Sequence, residues 1–174
     1  MNQRTDSTQI ITQFGVLNID WEGPQVKAIN MGNYETTDRR INVRHIPGNP
    51  ASLALINQVL AYFKGEKIDF ATELPDGVGT PLQRKVWTAL RMVPYGKFIT
   101  YGILAKKLKL PLSRARVLGN VCAQNPQPIL FPCHRIVAST GALTGYVAGI
   151  QWKKALLELE GIPVKHGRIP FRTP

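Results

Sequence analysis

One stretch near the middle of the chain dictates its organisation. Residues 65–79 (GEKIDFATELPDGVG) read as a linker, and Thr80-Pro81-Leu82-Gln83 follows at once. That tetrapeptide joins an N-cap hydroxyl, a proline at the first helical position and an amide at the capping-box position, so a helix starts there. Leu82, Val86, Leu90 and Val93 give this helix one apolar face, and Pro94-Tyr95-Gly96 stops it. The chain therefore divides into residues 1–79, a small unit with its linker, and residues 80–174.

The two parts carry different patterns. Residues 9–20 read as one strand, and residues 25–31 and 41–45 as two more, with Gly23-Pro24 and the polar stretch 32–40 as turns. Residues 50–63 read as an amphipathic helix with Leu53, Ile56, Leu60 and Phe63 on one stripe and Gly65 at its end. Past the capping box the pattern turns helical. Residues 100–108 (TYGILAKKL) form a short helix, 109–112 break it, and Ser113 caps a second helix from 114 to about 123. This is a helix-turn-helix outline, and an ordinary corner of two helices is its alternative. The expected class is α+β: a small N-terminal antiparallel sheet plus helix, then a helical, winged-helix-like domain carrying the helix-turn-helix.

Charge follows the same division. Residues 1–79 hold 7 Lys/Arg and 9 Asp/Glu, net −2, whereas residues 80–174 hold 15 and 2, net +13. The basic residues Lys106, Lys107, Lys109, Arg114 and Arg116 crowd the helix-turn-helix outline. A domain so one-sided repels itself unless an anion is its working partner, which points to nucleic acid; a merely soluble basic surface or a ribosome-associated protein is the alternative. No apolar run reaches the roughly 18 residues of a membrane span, and MNQRTDSTQI has no secretory pattern. Two cysteines, Cys122 and Cys133, are too few for a disulfide scaffold or a cysteine-built zinc site.

Residues 129–137 (ILFPCHRIV) are apolar apart from one thiol, one imidazole and one guanidinium. Pro132 fixes the backbone ahead of Cys133, and His134 and Arg135 follow it. Cationic neighbours lower a thiol pKa and favour the thiolate nucleophile; a structural buried cysteine is the alternative. On a strand, adjacent side chains diverge, so His134 would serve Cys133 through a water and would need an orienting acceptor on its other nitrogen. Glu160 is the candidate. It ends a helix over 151–160 that Gly161 terminates, it opposes the helix dipole there, and it is one of only two acids after residue 80.

With GTPLQRKVW, ITYGILAKKL, the Asn125-Pro126-Gln127-Pro128 turn, PCHR, Thr144-Gly145-Tyr146 and the closing LELEG, the stretch from Gly79 to Gly161 resembles the O6-alkylguanine-DNA alkyltransferases (methylated-DNA–protein-cysteine methyltransferases), in particular their bacterial Ogt-like members. The resemblance implies a suicide protein. Cys133 accepts the alkyl group from O6 of guanine, His134 takes the thiol proton through water, and Glu160 orients His134. Tyr101 protonates the leaving base, and Asn125 holds the turn ahead of Cys133. The carbonyls of Cys133 and Ile136 accept from the guanine amine, while Pro128 and Tyr146 line the pocket with Val147 and Ala148. A thiol cannot reach O6 inside a stacked duplex, so the base must be extruded. Arg116 matches the arginine that fills the vacated place, with Arg114 as its positional rival. Ala115 and Gly119 allow close approach to the minor groove, and Thr100 and Ser113 join the DNA-binding set.

The resemblance further implies double-stranded DNA carrying O6-alkylguanine as partner, with O4-alkylthymine as a second candidate lesion. It implies a cytoplasmic monomer away from any membrane, no cofactor and no metal. It makes residues 1–79 an RNase H-like scaffold and leaves the basic tail 165–174 without a role. One departure stands out. Small residues usually follow the tyrosine of the family pattern, and here Val147 and Ala148 do. The Val147 N–H can still donate to O6, but no serine hydroxyl is present, and a narrower pocket is expected to disfavour large O6 groups such as benzyl.

Overall fold

Alternating burial along the first strands builds a sheet with one covered face. The computed structural model describes residues 6–35, 41–45 and 47–171. Strands β1 (Asp6–Thr12), β2 (Gly15–Glu22), β3 (Gln25–Tyr34) and β4 (Asn42–Arg44) form one antiparallel sheet in the order β3-β2-β1-β4. In β2, Leu17, Ile19 and Trp21 are buried and their neighbours are not, as the period of two requires. The single strand expected over 9–20 is thus a hairpin. Thr12 closes its turn, donating its hydroxyl to the Gly15 carbonyl (2.8 Å) and accepting from the Phe14 N–H (3.1 Å). Gly15 sits at φ 135°, beyond the usual reach of a side chain. Residues 36–40 of the expected 32–40 turn lie outside the described residues, and β3 continues through 32–34.

Helix α1 (Pro50–Phe63) has the expected bounds but a rotated face. Ser52, Ile56, Val59, Tyr62 and Phe63 are buried, while Leu53 is 44% exposed. Asn49 caps it through the Ser52 N–H (2.8 Å). The helix reaches the hairpin where Gln13 donates to the Phe63 carbonyl (2.9 Å) and Phe14 packs on Phe63, ring centres 6.3 Å apart. Residues read as linker are partly structural, since Phe70 and Leu74 are buried.

The chain splits into two compact units, 1–76 and 77–174. In the second, α2 (Pro81–Leu90) starts with both bonds of a capping box: Gln83 N–H to Thr80 Oγ1 (3.3 Å) and Thr80 N–H to Gln83 Oε1 (2.7 Å). Gly79 must be glycine, because a Cβ there would fall 2.5 Å from the Trp87 ring and its φ is +79°. Trp87 in turn donates to the Val121 carbonyl (2.8 Å), tying α2 to α4 (Ala115–Ala123).

The helix-turn-helix is α3 (Tyr101–Lys107) followed by α4. Thr100 caps α3 through the Ile103 N–H (3.2 Å). Ser113 does not cap α4. Pro111 launches a 3-10 turn over Leu112–Arg114, with Arg114 N–H on the Pro111 carbonyl (2.9 Å), so Ser113 is already inside helical geometry when α4 begins.

Two short parallel strands, β5 (Ile99–Thr100) and β6 (Ile136–Val137), pair Ile99 with Ile136 and Thr100 with Val137. They bring the start of α3 beside the segment that follows Cys133. Helix α5 (Ile150–Leu159) completes the unit, with Glu160 as its C-cap and Gly161 at φ +78°. The tail is packed as far as it is described. Ile169 joins Val137, Leu157 and Ile162, and Phe171 stacks edge-on against Phe98 at 5.0 Å. The α+β class expected from the sequence is the class observed. No helix among the described residues is long and apolar enough to cross a membrane.

Candidate active site

The segment from Asn125 to Arg135 is held by one side chain. Asn125, buried just past α4, accepts from the Gln127 N–H (3.1 Å) and donates Nδ2 to the Phe131 carbonyl (2.6 Å) and to Cys133 Sγ (3.2 Å). Inside this turn Ile129, a β-branched residue, is held at φ +77°. Such a conformation costs on the order of 1–3 kcal/mol and persists only where the surroundings over-determine it.

Cys133 does not lie on a strand. Cys133–Arg135 form a 3-10 turn after Pro132, and β6 begins only at Ile136. The shared carboxylate accounts for the turn. Neighbouring side chains on a strand point to opposite faces, yet His134 and Arg135 both reach Glu160. His134 Nε2 lies 2.8 Å from Glu160 Oε1. Arg135 donates Nε to Oε2 (2.9 Å) and an NH2 to Oε1 (2.9 Å), and sends its other terminal nitrogen to the Val93 carbonyl (2.6 Å). Glu160 also accepts from the Gly96 N–H (3.2 Å). Bidentate pairing with an arginine fixes the carboxylate that holds the imidazole.

The electrostatics differ from the sequence expectation in one respect. The sequence has His134 and Arg135 lowering the Cys133 pKa, but both are turned to Glu160. Cys133, 2% exposed, has its thiol pushed up by burial; the Asn125 bond and the charge of Lys153 pull it part of the way back. Burial lowers the His134 pKa against the pull of Glu160, so the imidazole is neutral near pH 7. Burial alone would raise Glu160, but His134 and Arg135 outweigh it and hold the carboxyl down at about 2. Tyr101 is pushed up to about 12, chiefly by burial, with a hydrogen bond to Thr144 opposing. Its phenol is therefore protonated at neutral pH.

A family model described as the DNA-binding domain of 6-O-methylguanine DNA methyltransferase matches residues 81–162. The methylated-DNA–protein-cysteine methyltransferase of Mycobacterium leprae is 40% identical over 131 residues, 75% of this chain and 78% of that protein. This chain belongs to the methylated-DNA–protein-cysteine methyltransferase family. The crystal structure of the Mycobacterium tuberculosis O6-methylguanine methyltransferase superposes with a TM-score of 0.71 at 34% identity, covering 91% of this chain and 93% of that one. The Mycobacterium tuberculosis OGT in complex with DNA gives 0.71 at 35% identity, over 87% and 90%.

In this methyltransferase-family chain the remaining expected residues fall into two groups. Pro128, Ile136 and Tyr146 are buried, and the Tyr146 ring stands edge-on to His134 at 6.4 Å. Ala148 is half-buried and Val147 is 48% exposed. The carbonyls of Cys133 and Ile136 already accept one bond each, from the Ile136 N–H and from Lys153 Nζ, which leaves each a second lone pair. On the helix-turn-helix, Arg114 and Arg116 are both exposed, as is Ser113; Ala115 and Gly119 are half-buried and Thr100 is buried. A Cβ at Gly119 would lie 4.0 Å from the Tyr101 ring, so α4 runs close beside that ring. Cys122 is a buried thiol that burial pushes well above its ordinary pKa.

Two residues of the site were not anticipated in their roles. Arg135 fastens Glu160. Lys153 is wholly buried on α5, and the sequence held a signal for it: Lys153, Leu156, Leu157 and Glu160 fall at i, i+3, i+4 and i+7, one inward stripe.

Proposed function

We propose that this protein reverses O6-alkylguanine damage in duplex DNA by moving the alkyl group irreversibly onto its own Cys133. The observation that carries the reading is a buried thiol bonded to Asn125, next in sequence to a His134–Glu160 pair, in the unit that also bears a basic helix-turn-helix.

The reaction follows from these groups. Sγ attacks the alkyl carbon, the carbon–O6 bond breaks, and its electron pair stays with guanine. A His134 that donates Nε2–H to Glu160 keeps its lone pair on Nδ1, the form in which an imidazole takes the thiol proton through a water. Tyr101, protonated at neutral pH, gives its proton to the departing base, and the proton held by His134 replaces it through solvent. The thioether is stable, so each molecule acts once. The target base is flipped into the pocket, and Arg116 fills its place in the stack. Phosphate-led binding by the basic helices is indifferent to sequence, which suits a search for rare lesions. O4-alkylthymine is a second candidate substrate. The protein works as a cytoplasmic monomer without cofactor, associated with the nucleoid when bound, and residues 1–79 serve as an RNase H-like scaffold.

Intact mass after incubation with O6-methylguanine duplex tests this. One added methyl, lost in Cys133→Ser, is the expected result. DNA binding without a mass change favours a lesion-sensing module that has kept the scaffold. Arg116→Ala is expected to slow repair in duplex while leaving reaction with free O6-methylguanine unchanged; equal slowing of both would remove its role in flipping.

A further inference from the structure

Lys153 is 0% exposed, and its Nζ donates to two carbonyls, Ile136 (2.6 Å) and Thr144 (2.9 Å). Ile136 ends the 3-10 turn that carries Cys133, and Thr144 lies two residues before Tyr146. Nζ also stands 6.0 Å from the centre of the Tyr101 ring. Burying an ammonium is costly unless it is paired with an anion and hydrogen-bonded. A leucine or methionine would fill the same place on α5 at no such cost.

The groups around it explain what the charge can act on. Lys153 is coupled electrostatically to Cys133, to Cys122 of α4 and to His134, with Tyr101 of α3 beside it. Tyr146, Glu160 and Arg135 are the other titratable or charged groups that act on Cys133 and His134. Burial holds Cys122 protonated and Tyr101 near 12. Glu160 is taken up by His134 and Arg135. The anion left for Lys153 to stabilise is the Cys133 thiolate.

We propose that Lys153 is a positioning residue for the alkyl transfer: its ammonium ties the Cys133 turn to the 144–146 segment, and its charge stabilises the thiolate from which sulfur attacks. The proposal rests on the alkyl-transfer reading above. Lys153 gives up no proton in the step; the thiol proton goes to His134 and the alkyl group to sulfur. Burial lowers the Lys153 pKa to about 8, with Cys133 and Cys122 opposing, so the ammonium persists at pH 7 and is lost as pH rises through that value. Its repulsion also helps keep His134 neutral, in the proton-accepting form.

Single-turnover methyl transfer from O6-methylguanine duplex, followed from about pH 6 to about pH 10, tests the charge directly. Lys153→Gln keeps a hydrogen-bond donor and removes the charge; Lys153→Arg keeps a charge that does not titrate in this range. The expected loss for Gln is about 10-fold or more at pH 7, with duplex affinity unchanged, and Arg recovers part of it. The wild-type rate is expected to pass a maximum near pH 8, and the Arg variant to lack that alkaline fall. A folded Gln variant within about two-fold of wild type overturns the proposal. Should neither variant fold, the wild-type profile decides, and a rate still climbing beyond pH 9 overturns it. A wild-type protein that takes no methyl refutes the alkyl-transfer reading instead. The pH dependence of Cys133 carboxamidomethylation by iodoacetamide then tests Lys153 alone, and a midpoint that is the same in wild type and Gln counts against it.

Discussion

The two units bury different kinds of polarity. Among the described residues, the buried polar side chains of the first unit are Thr8, Thr12 and Ser52, all hydroxyls. Those of the second include His134, Arg135, Lys153 and Glu160 alongside Thr100, Asn125 and Gln127. A hydroxyl can be buried cheaply if one bond satisfies it, as Trp21 Nε1–H does for Thr8 at 2.9 Å. A buried ionic cluster rarely stabilises a fold beyond what apolar packing would. Among the described residues, its presence in the second unit alone separates a sheet built to stand from a core that holds charge beside a thiol.

The largest test of this contrast is Glu160→Gln. It leaves Arg135 buried beside a neutral amide and takes from His134 the carboxylate that orients it. Removing one partner of a buried ion pair costs about 3–5 kcal/mol, read as a fall in Tm. Methyl transfer is expected to slow by about 100-fold, with duplex affinity nearly intact; an unchanged rate would make Glu160 purely structural. The acid limb follows from the same group. Its folded pKa of about 2 lies below the ordinary carboxyl value, so its contribution is full above about pH 5 and is lost as pH falls toward 2. Wild type is therefore expected to lose stability across that window, and Glu160→Gln to lose less.

Thr8→Val makes the opposite test in the first unit. It is nearly isosteric but strands the Trp21 indole N–H in the core, at a cost of about 1–3 kcal/mol. The transfer rate per folded molecule is expected to stay at the wild-type value. A slower rate would break the contrast, because it would make the sheet unit part of the chemistry.

Under the proposed reaction, alkylation of Cys133 is a perturbation that the chemistry itself would supply. The site is 2% exposed, and the thiol accepts a bond from Asn125 at 3.2 Å. An added methyl must find room there and weakens that bond. Overpacking of this kind costs about 1–3 kcal/mol, a Tm lower by several degrees in a protein this size. A Tm equal to or above that of the unmodified protein would show that the pocket has slack.

Local interactions were legible in the sequence, and long-range ones were mostly hidden. The capping box at Thr80 and Gln83 and the α1 bounds depend on neighbours a few positions apart, and each could be read; the helix expected over 100–108 is α3 over 101–107, with Thr100 as its cap rather than its first residue. The hairpin inside residues 9–20 was hidden because its turn, closed by Thr12, carries no Asn-Gly signal, although Gly15 marked the place. Ser113 looked like a cap because hydroxyls favour that position, but the bond from Arg114 to Pro111 starts the turn earlier. Pairing of Glu160 with His134 could be proposed from charge scarcity. The turn of Arg135 onto the same carboxylate could not, since it depends on a 3-10 geometry that the apolar run around Cys133 disguises as a strand.

The smallest expected effect concerns Val147. Its position after Tyr146 suggested a pocket narrowed by a branched side chain, but the side chain is 48% exposed. Much of its bulk therefore faces solvent, and it can obstruct a ligand only with the part that does not. Substitution at such a position changes stability by no more than about 0.5 kcal/mol, so an effect on rate reports the pocket rather than the fold. Val147→Ser is expected to raise the O6-benzylguanine rate relative to O6-methylguanine by about two- to five-fold, against the tenfold that 1.4 kcal/mol would give. The ratio of the two second-order rates on duplex DNA measures this. An unchanged ratio would place the limit on large groups deeper, at the buried Tyr146 and Pro128 of the proposed pocket, where the Tyr146 ring stands edge-on to His134 at 6.4 Å.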